Sequence, residues 1–287
     1  MQRIVLILTL LITQSLSAQL YVGGFLGAMG YNGDLNAKVL KRIKPSVGGA
    51  FIYGLSNRLN LRMGILLGSL EGGDQFSGTN FLKQNRNLSF TTDITEVSFL
   101  GEFTAFNLNK INWTPYVFGG VAFFHFNPYI KDSGKKLFLQ PLSTEGQGLS
   151  EYPDRQPYSL IQLSFPFGGG VRFVTSDNVM VSFELGLRRT MTDYLDDVSN
   201  SYVDGNILLQ KKGPKAAQFF YRADEVVGGS IAYPDNGFPA KGVERGGPKY
   251  KDWYYIGGVH VVFRLGNIGK SSTKDKKTYG CTGIAPM

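Results

Sequence analysis

Val179–Thr190 reads VMVSFELGLRRT, and its alternation decides the fold. Val179, Val181, Phe183, Leu185 and Leu187 fall on one face, and Met180, Ser182, Glu184, Gly186, Arg188 and Thr190 on the other. A period of two with β-branched and aromatic residues predicts a strand that is apolar on one face only. The opposite face carries Glu184 and Arg188, which suits a wet or hydrogen-bonded interior. Beyond it, MTDYLDDVSNSYVD (191–204) opens a long polar, acidic segment. One apolar face, one charged face and a long loop together form the repeating unit of an outer-membrane β-barrel.

Seven further stretches fit that unit. Leu20–Gly33 places Leu20, Val22, Leu26 and Ala28 together, and Ser46–Leu55 places Val47, Phe51, Tyr53 and Leu55 together. Leu59–Leu70 is the cleanest, with Leu59, Leu61, Met63, Ile65 and Leu67 opposite Asn60, Arg62, Gly64 and Gly68. Asp93–Phe106 sets Val97, Phe99, Phe103 and Ala105 against Glu96, Ser98, Glu102 and Thr104. Pro115–Phe126 is apolar on both faces, so its lipid side stays open. Tyr158–Val174 sets Ile161, Leu163, Phe165, Phe167, Val171 and Phe173 opposite Gln162, Ser164 and Arg172, with Pro166 implying a bulge or a local break in pairing. Tyr250–Leu265 sets Tyr255, Val259, Val261, Phe263 and Leu265 opposite Tyr254, His260 and Arg264. Its Tyr250 and Trp253-Tyr254-Tyr255 start reads as an interfacial aromatic girdle.

Short connections (Ser56–Arg58, Asn107–Thr114, Thr175–Asn178) all lie at one end, with both termini. The long ones (Asp34–Pro45, Glu71–Thr92, Asn127–Pro157, Thr192–Lys249) lie at the other. The last is far longer than ordinary connections, and Phe219–Ser230 is its best candidate for an element of its own. The expected fold is all-β, an eight-stranded antiparallel transmembrane barrel with long extracellular loops and short periplasmic turns, both termini being periplasmic. Alternation alone does not separate inside from outside, and a soluble lipocalin-type barrel would reverse the faces. The glycine load, the aromatics near strand ends and the loop asymmetry favour the membrane.

The amino terminus supports export. Arg3, the apolar run Ile4–Ile12 and small residues before a cut after Ala18 are the three parts of a signal peptide, in a run too short to span a bilayer. The expected organisation is a signal peptide over 1–18, a barrel over 19–265 and a periplasmic tail over 266–287. Charged residues are 18%, aromatics 13%, and 37 glycines are dispersed along the chain, a composition that fits curved, half-lipid-facing strands. The net charge of +8 comes without a basic helix or aromatic-basic module, so nucleic acid is not an expected partner. Lipid head groups or acidic partners are.

No chemistry of catalysis is legible. His125 and His260 lie in expected strands without a nucleophile to pair with, and read as packed or lumen-facing imidazoles. Gly168–Gly170 lacks the Gly-Lys-Ser/Thr ending of a phosphate loop. One cysteine and two scattered histidines give no metal-ligand spacing, so neither metal nor cofactor is expected. Glu96, Glu102, Arg172, Glu184 and Arg188 alternate into the lumen as an ion-pair network, and eight strands leave just enough interior for side chains to fill. Cys281 is the single cysteine in an exported chain, so an intermolecular bridge or a free thiol follows. Lys270, Lys274, Lys276 and Lys277 around it favour the thiolate.

Three segments carry a family resemblance: Tyr31-Asn32-Gly33-Asp34-Leu35, the run Thr192-Asp193-Tyr194-Leu195-Asp196-Asp197-Val198-Ser199 ahead of Tyr202-Val203-Asp204, and Tyr279-Gly280-Cys281. Together they resemble PorG-like outer-membrane barrels of the type IX secretion system, in order along the whole mature chain. Thr282 stands where that family pattern leads one to expect proline. The resemblance implies a barrel that is not the translocation pore. It implies instead association with a periplasmic ring, built from a lipoprotein and its partner protein, that the barrel ties to the outer membrane. The alternative is a general surface barrel whose long loops bind ligands or protect the cell.

Overall fold

The computed structural model describes residues 19–35, 42–76, 86–108, 111–226, 237–249 and 251–267. Eight long strands make the barrel: β1 (Gln19–Asn32), β2 (Ile43–Gly54), β3 (Leu59–Gly73), β4 (Ser89–Thr104), β5 (Trp113–His125), β8 (Ile161–Ser176), β9 (Val179–Thr190) and β10 (Trp253–Asn267). A hairpin of β6 (Pro128–Asp132) and β7 (Lys135–Phe138) continues past the rim from the start of β4. The barrel order is β3-β2-β1-β10-β9-β8-β5-β4, and β4 pairs back onto β3. Every pair is antiparallel, so the sheet is closed and has no free edge along the barrel wall.

The alternation read from the sequence sets the two faces. Leu26, Phe51, Leu61, Phe99, Phe183 and Leu185 point outward and are exposed, while Phe25, Ile52, Arg62, Leu100, Ser182 and Glu184 next to them are buried inside. An exposed belt of leucine and phenylalanine around a charged interior is stable only where the surrounding medium is apolar. No helix among the described residues is long and apolar enough to cross a membrane. The chain therefore crosses with its strands, as an outer-membrane β-barrel protein.

Strand β5, ambiguous in the sequence, is settled by its neighbours. Val117, Val121 and Phe123 face outward, whereas Tyr116, Phe118 and Phe124 are buried inside. The inward aromatics seat cations: the Arg62 guanidinium lies 4.8 Å from the Phe118 ring centre, and that of Arg172 lies 4.6 Å from Tyr116. The paired Gly168 and Gly186 make room for that ring, since a Cβ at either would stand within 3 Å of Phe118 Cζ. The glycines of these strands thus shape the lumen.

Three expectations change. Tyr254 is not part of an aromatic girdle: it is fully buried and donates to Glu96 Oε2 at 2.5 Å, because its place in the alternation is inward. His125 is exposed on the outer face rather than packed or in the lumen. At Pro166, by contrast, the expected local break in pairing is what occurs, without a bulge. Pairing with β5 lapses at Phe165 and Pro166 and resumes in the same register, as expected where a donor N–H is missing. Finally, the loop after β9 holds two helices, α1 (Gly205–Lys212) and α2 (Pro214–Phe220), which begin ahead of the segment Phe219–Ser230. Asp204 caps α1 by accepting from the Asn206 and Ile207 N–H groups, and Gly213 with φ of 86° turns the chain into Pro214. The signal segment 1–18, residues 268–287 with Cys281, and Tyr250 lie outside the described residues.

Candidate functional site

Inside the barrel, the inward positions of β3, β4, β8 and β9 bring opposite charges together. Arg62 reaches Glu184 with two nitrogens, at 2.6 and 3.1 Å, and Glu102 at 3.0 Å. Arg172 bonds Glu102 at 2.9 Å and the Ser182 hydroxyl at 3.1 Å. Arg188 lies 3.3 Å from Glu96, which also accepts from Tyr254, and Tyr116 donates to Glu184 at 2.8 Å. His260 faces Glu184 at 3.5 Å and the Phe25 ring at 4.7 Å. All five residues expected in this network belong to it. Arg62, its central cation, was legible only as an inward residue of β3. Between Phe25, Arg62, Glu96, Glu184, Arg188 and His260 remains about 30 Å³, room for one water molecule. At this level side chains fill the cross-section.

The long loops pack over this core as an ordered cap. Asp193, Asp196 and Asp197 are all buried at its base. The Asp196 carboxylate accepts from Tyr31 Oη at 2.6 Å, from Leu35 N–H at 3.2 Å and from Val198 N–H at 3.0 Å. Tyr31 Oη also lies 3.0 Å from Asp252, whose other oxygen accepts from Leu195 N–H at 2.9 Å. A hydroxyl has a single proton to give, so a protonated Asp252 carboxyl donating to the Tyr31 oxygen satisfies both contacts. Burial raises both carboxyls well above the usual range; for Asp196 the Asp34 charge adds to this, and for Asp252 those of Asp196 and Asp193.

Asp197 adopts φ of 65°, a left-handed conformation that aspartate tolerates. This aims its side chain at the hydroxyls of Thr144 and Tyr158, and its carbonyl accepts from Arg245 at 2.7 Å. Burial raises its carboxyl to about 6 against the nearby Arg245. Asp193 accepts from the Ser199 hydroxyl at 2.8 Å, while its second oxygen has no hydrogen-bond partner, and burial raises it to about 7. Tyr194 stacks on Tyr158 with ring centres 4.6 Å apart and accepts from Asn200 at 2.7 Å.

Two buried arginines tie the cap together. Arg245 bonds Glu145 at 2.9 Å, and Glu145 in turn accepts the Ser199 and Asn200 N–H groups. Arg86 clasps Asp74 with two nitrogens at 2.7 and 2.6 Å and donates to the Arg245 carbonyl. Neither arginine, nor Glu145 or Asp74, carries a sequence signal, since all sit in stretches without periodicity. The two segments Tyr31–Leu35 and Thr192–Ser199, far apart in the chain, thus meet in one buried cluster. The acids and bases of this cluster hold loop backbone and neighbouring hydroxyls in place, Asp196 and Glu145 accepting backbone N–H groups and Asp193 and Asp197 accepting from Ser199, Thr144 and Tyr158. No group of three or more His, Cys, Asp or Glu among the described residues could hold a metal ion.

Among solved structures the chain is similar to Neisserial surface protein A (TM-score 0.44, 8% identity, covering 86% of this chain and 99% of that one). It is also similar to the N-terminal β-barrel domain of Pseudomonas aeruginosa OprF (0.35, 10%, 86% and 97%) and to Yersinia pestis Ail (0.36, 8%, 86% and 97%). No curated protein sequence matches it. The family model for a domain of unknown function, DUF6089, matches residues 1–210, and the chain belongs to that family.

Proposed function

We propose that this barrel works by what it presents rather than by what it passes: a surface protein of the outer membrane whose cap of long loops binds ligands or shields the cell. The observation that carries this reading is the pairing of a filled lumen with an ordered cap. Arg62, Glu102 and Glu184 occupy the cross-section, and Arg245, Arg86 and Asp196 fix the loops above it. The cap's exposed lysines, among them Lys131, Lys135, Lys212 and Lys241, suit acidic ligands or lipid head groups. In this reading the cap faces outward and the short turns and both termini are periplasmic. Epitope tags in the loop 192–249 should be reachable on intact cells and tags at 175–178 should not; the opposite accessibility refutes the orientation.

A second reading rests on the PorG-like resemblance: a non-enzymatic component of the type IX secretion machinery that anchors the periplasmic ring of a lipoprotein and its partner. The meeting of Tyr31 and Leu35 with Asp196 supports it, because the separate segments that carry the resemblance form one structural unit. Cys281 would then contact, and could bridge to, a ring component; sixteen residues beyond Leu265 reach roughly 50–60 Å when extended. Loss of protein secretion on deletion, with ring proteins recovered in pull-downs from solubilised membranes, supports this reading. Unimpaired secretion refutes it. An adduct on non-reducing gels that vanishes in Cys281→Ser tests the bridge separately.

A further inference from the structure

The longest loop leaves the barrel after β9 and returns at β10, and backbone joins its two feet. The Asp252 N–H donates to the Thr192 carbonyl at 3.1 Å, and the Asp252 carbonyl accepts the Thr190 hydroxyl at 2.7 Å. The next segment, 193–199, is held by side-chain carboxyls instead. Its Leu195 and Val198, both fully buried, pack with Tyr31 and Leu35 in the apolar cluster that runs from the lumen into the cap. Two carboxyl oxygens converge there on one hydroxyl: Asp196 Oδ2 lies 2.6 Å and Asp252 Oδ1 3.0 Å from Tyr31 Oη. Asp196 accepts backbone N–H groups on both oxygens, from Val198 and Leu35, and Asp252 Oδ2 accepts one from Leu195. Asp252 Oδ1 alone accepts no N–H, which makes it the oxygen that carries a proton. The chain then runs from Asp252 Oδ1–H to Tyr31 Oη–H to Asp196 Oδ2. Gly33 leaves room for it, since a Cβ there would stand well inside 3 Å of both Tyr31 Oη and Asp252 Oδ1.

A third carboxyl stands beside this pair. Asp193 is 2% exposed and takes the Ser199 hydroxyl on one oxygen, while its other oxygen is buried without a hydrogen-bond partner, which favours the neutral form. The surrounding charges do not reverse that preference. Asp34 after β1 and Glu145 in the loop after β7 add negative charge. Lys251 offsets part of it at Asp193 and Arg86 part of it at Asp196, but Lys251 is exposed and Arg86 is clasped by Asp74, and neither forms an ion pair with the three acids. Arg245 is committed to Glu145 and the neighbouring Asp197. Acids that are buried this close together without a cation keep protons in the docked arrangement and lose them when it opens to water.

We infer that the base of the cap is a proton-held latch: a proton shared along Asp252, Tyr31 and Asp196, with a second on Asp193, docks the segment 193–199 on the barrel end, and their loss as pH rises releases it. In the docked form each carboxyl is a donor or a neutral acceptor. Without the protons, Asp196 and Asp252 are two anions on one hydroxyl, with Asp193 and Asp34 beside them. Repulsion then lifts Leu195 and Val198 from Tyr31 and Leu35, while the backbone bonds between Thr192 and Asp252 keep the feet of the loop in place. The cap is tight in acid and loosens toward and beyond neutral pH, whichever compartment it faces.

The test is amide hydrogen exchange of the full-length barrel in detergent micelles, each rate divided by the chemical rate at the same pH. For each proton released on opening, the open fraction grows about ten-fold per pH unit between the ordinary carboxyl value and that of the docked form. Protection of residues 193–199 should therefore fall at least about ten-fold from pH 5 to pH 7, and further by pH 9, while the barrel strands hold theirs. In Asp252→Asn the side-chain amide donates to Tyr31 and has no proton to lose. Asp193→Asn combined with Asp252→Asn should thus keep its protection to about pH 9, with heat-modified gel mobility confirming a folded barrel. Infrared spectra at neutral pH should show a carboxylic C=O stretch that Asp252→Asn removes, a signature that a merely packed carboxylate does not give. Native protection that is flat across this range, a fall that the paired asparagines leave unchanged, or no acid band lost in Asp252→Asn overturns the inference. The first of these outcomes is read on the native barrel and needs no variant. Micelles carry no orientation, so surface tags can fail while the latch holds.

Discussion

Replacing Arg62 with methionine is the sharpest test of the filled lumen. Arg62 is only 4% exposed and bridges Glu102 at 3.0 Å and Glu184 at 2.6 Å. Methionine keeps much of the stem's bulk against Phe118 but leaves two buried carboxylates short of their shared cation. Removing one partner of a buried pair costs about 3–5 kcal/mol. Here the lower end applies, because Glu102 keeps Arg172 at 2.9 Å and Glu184 keeps the Tyr116 hydroxyl at 2.8 Å. The expected loss is therefore about 3 kcal/mol. Adding Glu184→Gln removes the orphaned charge, so the double variant should be more stable than the sum of the singles by about 0.5–3 kcal/mol. Urea unfolding in micelles, followed by heat-modified gel mobility and by circular dichroism, measures each. A loss below about 1 kcal/mol, the range of an exposed pair, or strictly additive singles would refute the reasoning.

Phe183→Arg puts a charge on the lipid face and should cost about 2–4 kcal/mol if it sits at the bilayer midplane; assembly in vesicles that tolerates this change but not Glu184→Gln would mean the faces are reversed. Arg245→Met leaves Glu145 buried without its cation, a loss of about 3–5 kcal/mol confined to the cap, so protease should clip the long loops faster while the barrel keeps its gel mobility. Asp193 supplies a pH test. Its folded carboxyl is raised to about 7, above its ordinary value of about 4, so its stabilising contribution is complete below pH 4 and is lost as pH rises to 7. Asp197, raised to about 6, acts in the same direction. The urea midpoint read from Trp253 in a Trp113→Phe background should fall across that window, and Asp193→Asn should flatten the fall.

The sequence by itself determined the barrel. A period of two is local, so Phe183 against Glu184, or Leu61 against Arg62, assigns opposite faces without knowledge of any neighbour. Loop lengths then put the short turns at one end, and charge at inward positions announced a paired lumen before any pair was known. What remained depended on which residues meet across the closed sheet. Phe118 and Val117 are equally apolar, and only the seat of Arg62 on the Phe118 ring makes one inward and the other outward. The alternation already set Tyr254 opposite Tyr255, but its partner Glu96 lies on another strand and only closure brings the two together. Arg86, Arg245 and Glu145 lie in loops, where no period exists and position follows from long-range partners up to 159 residues away. Strand faces are written in nearest-neighbour chemistry. The cap exists only once closure of the barrel brings distant residues together.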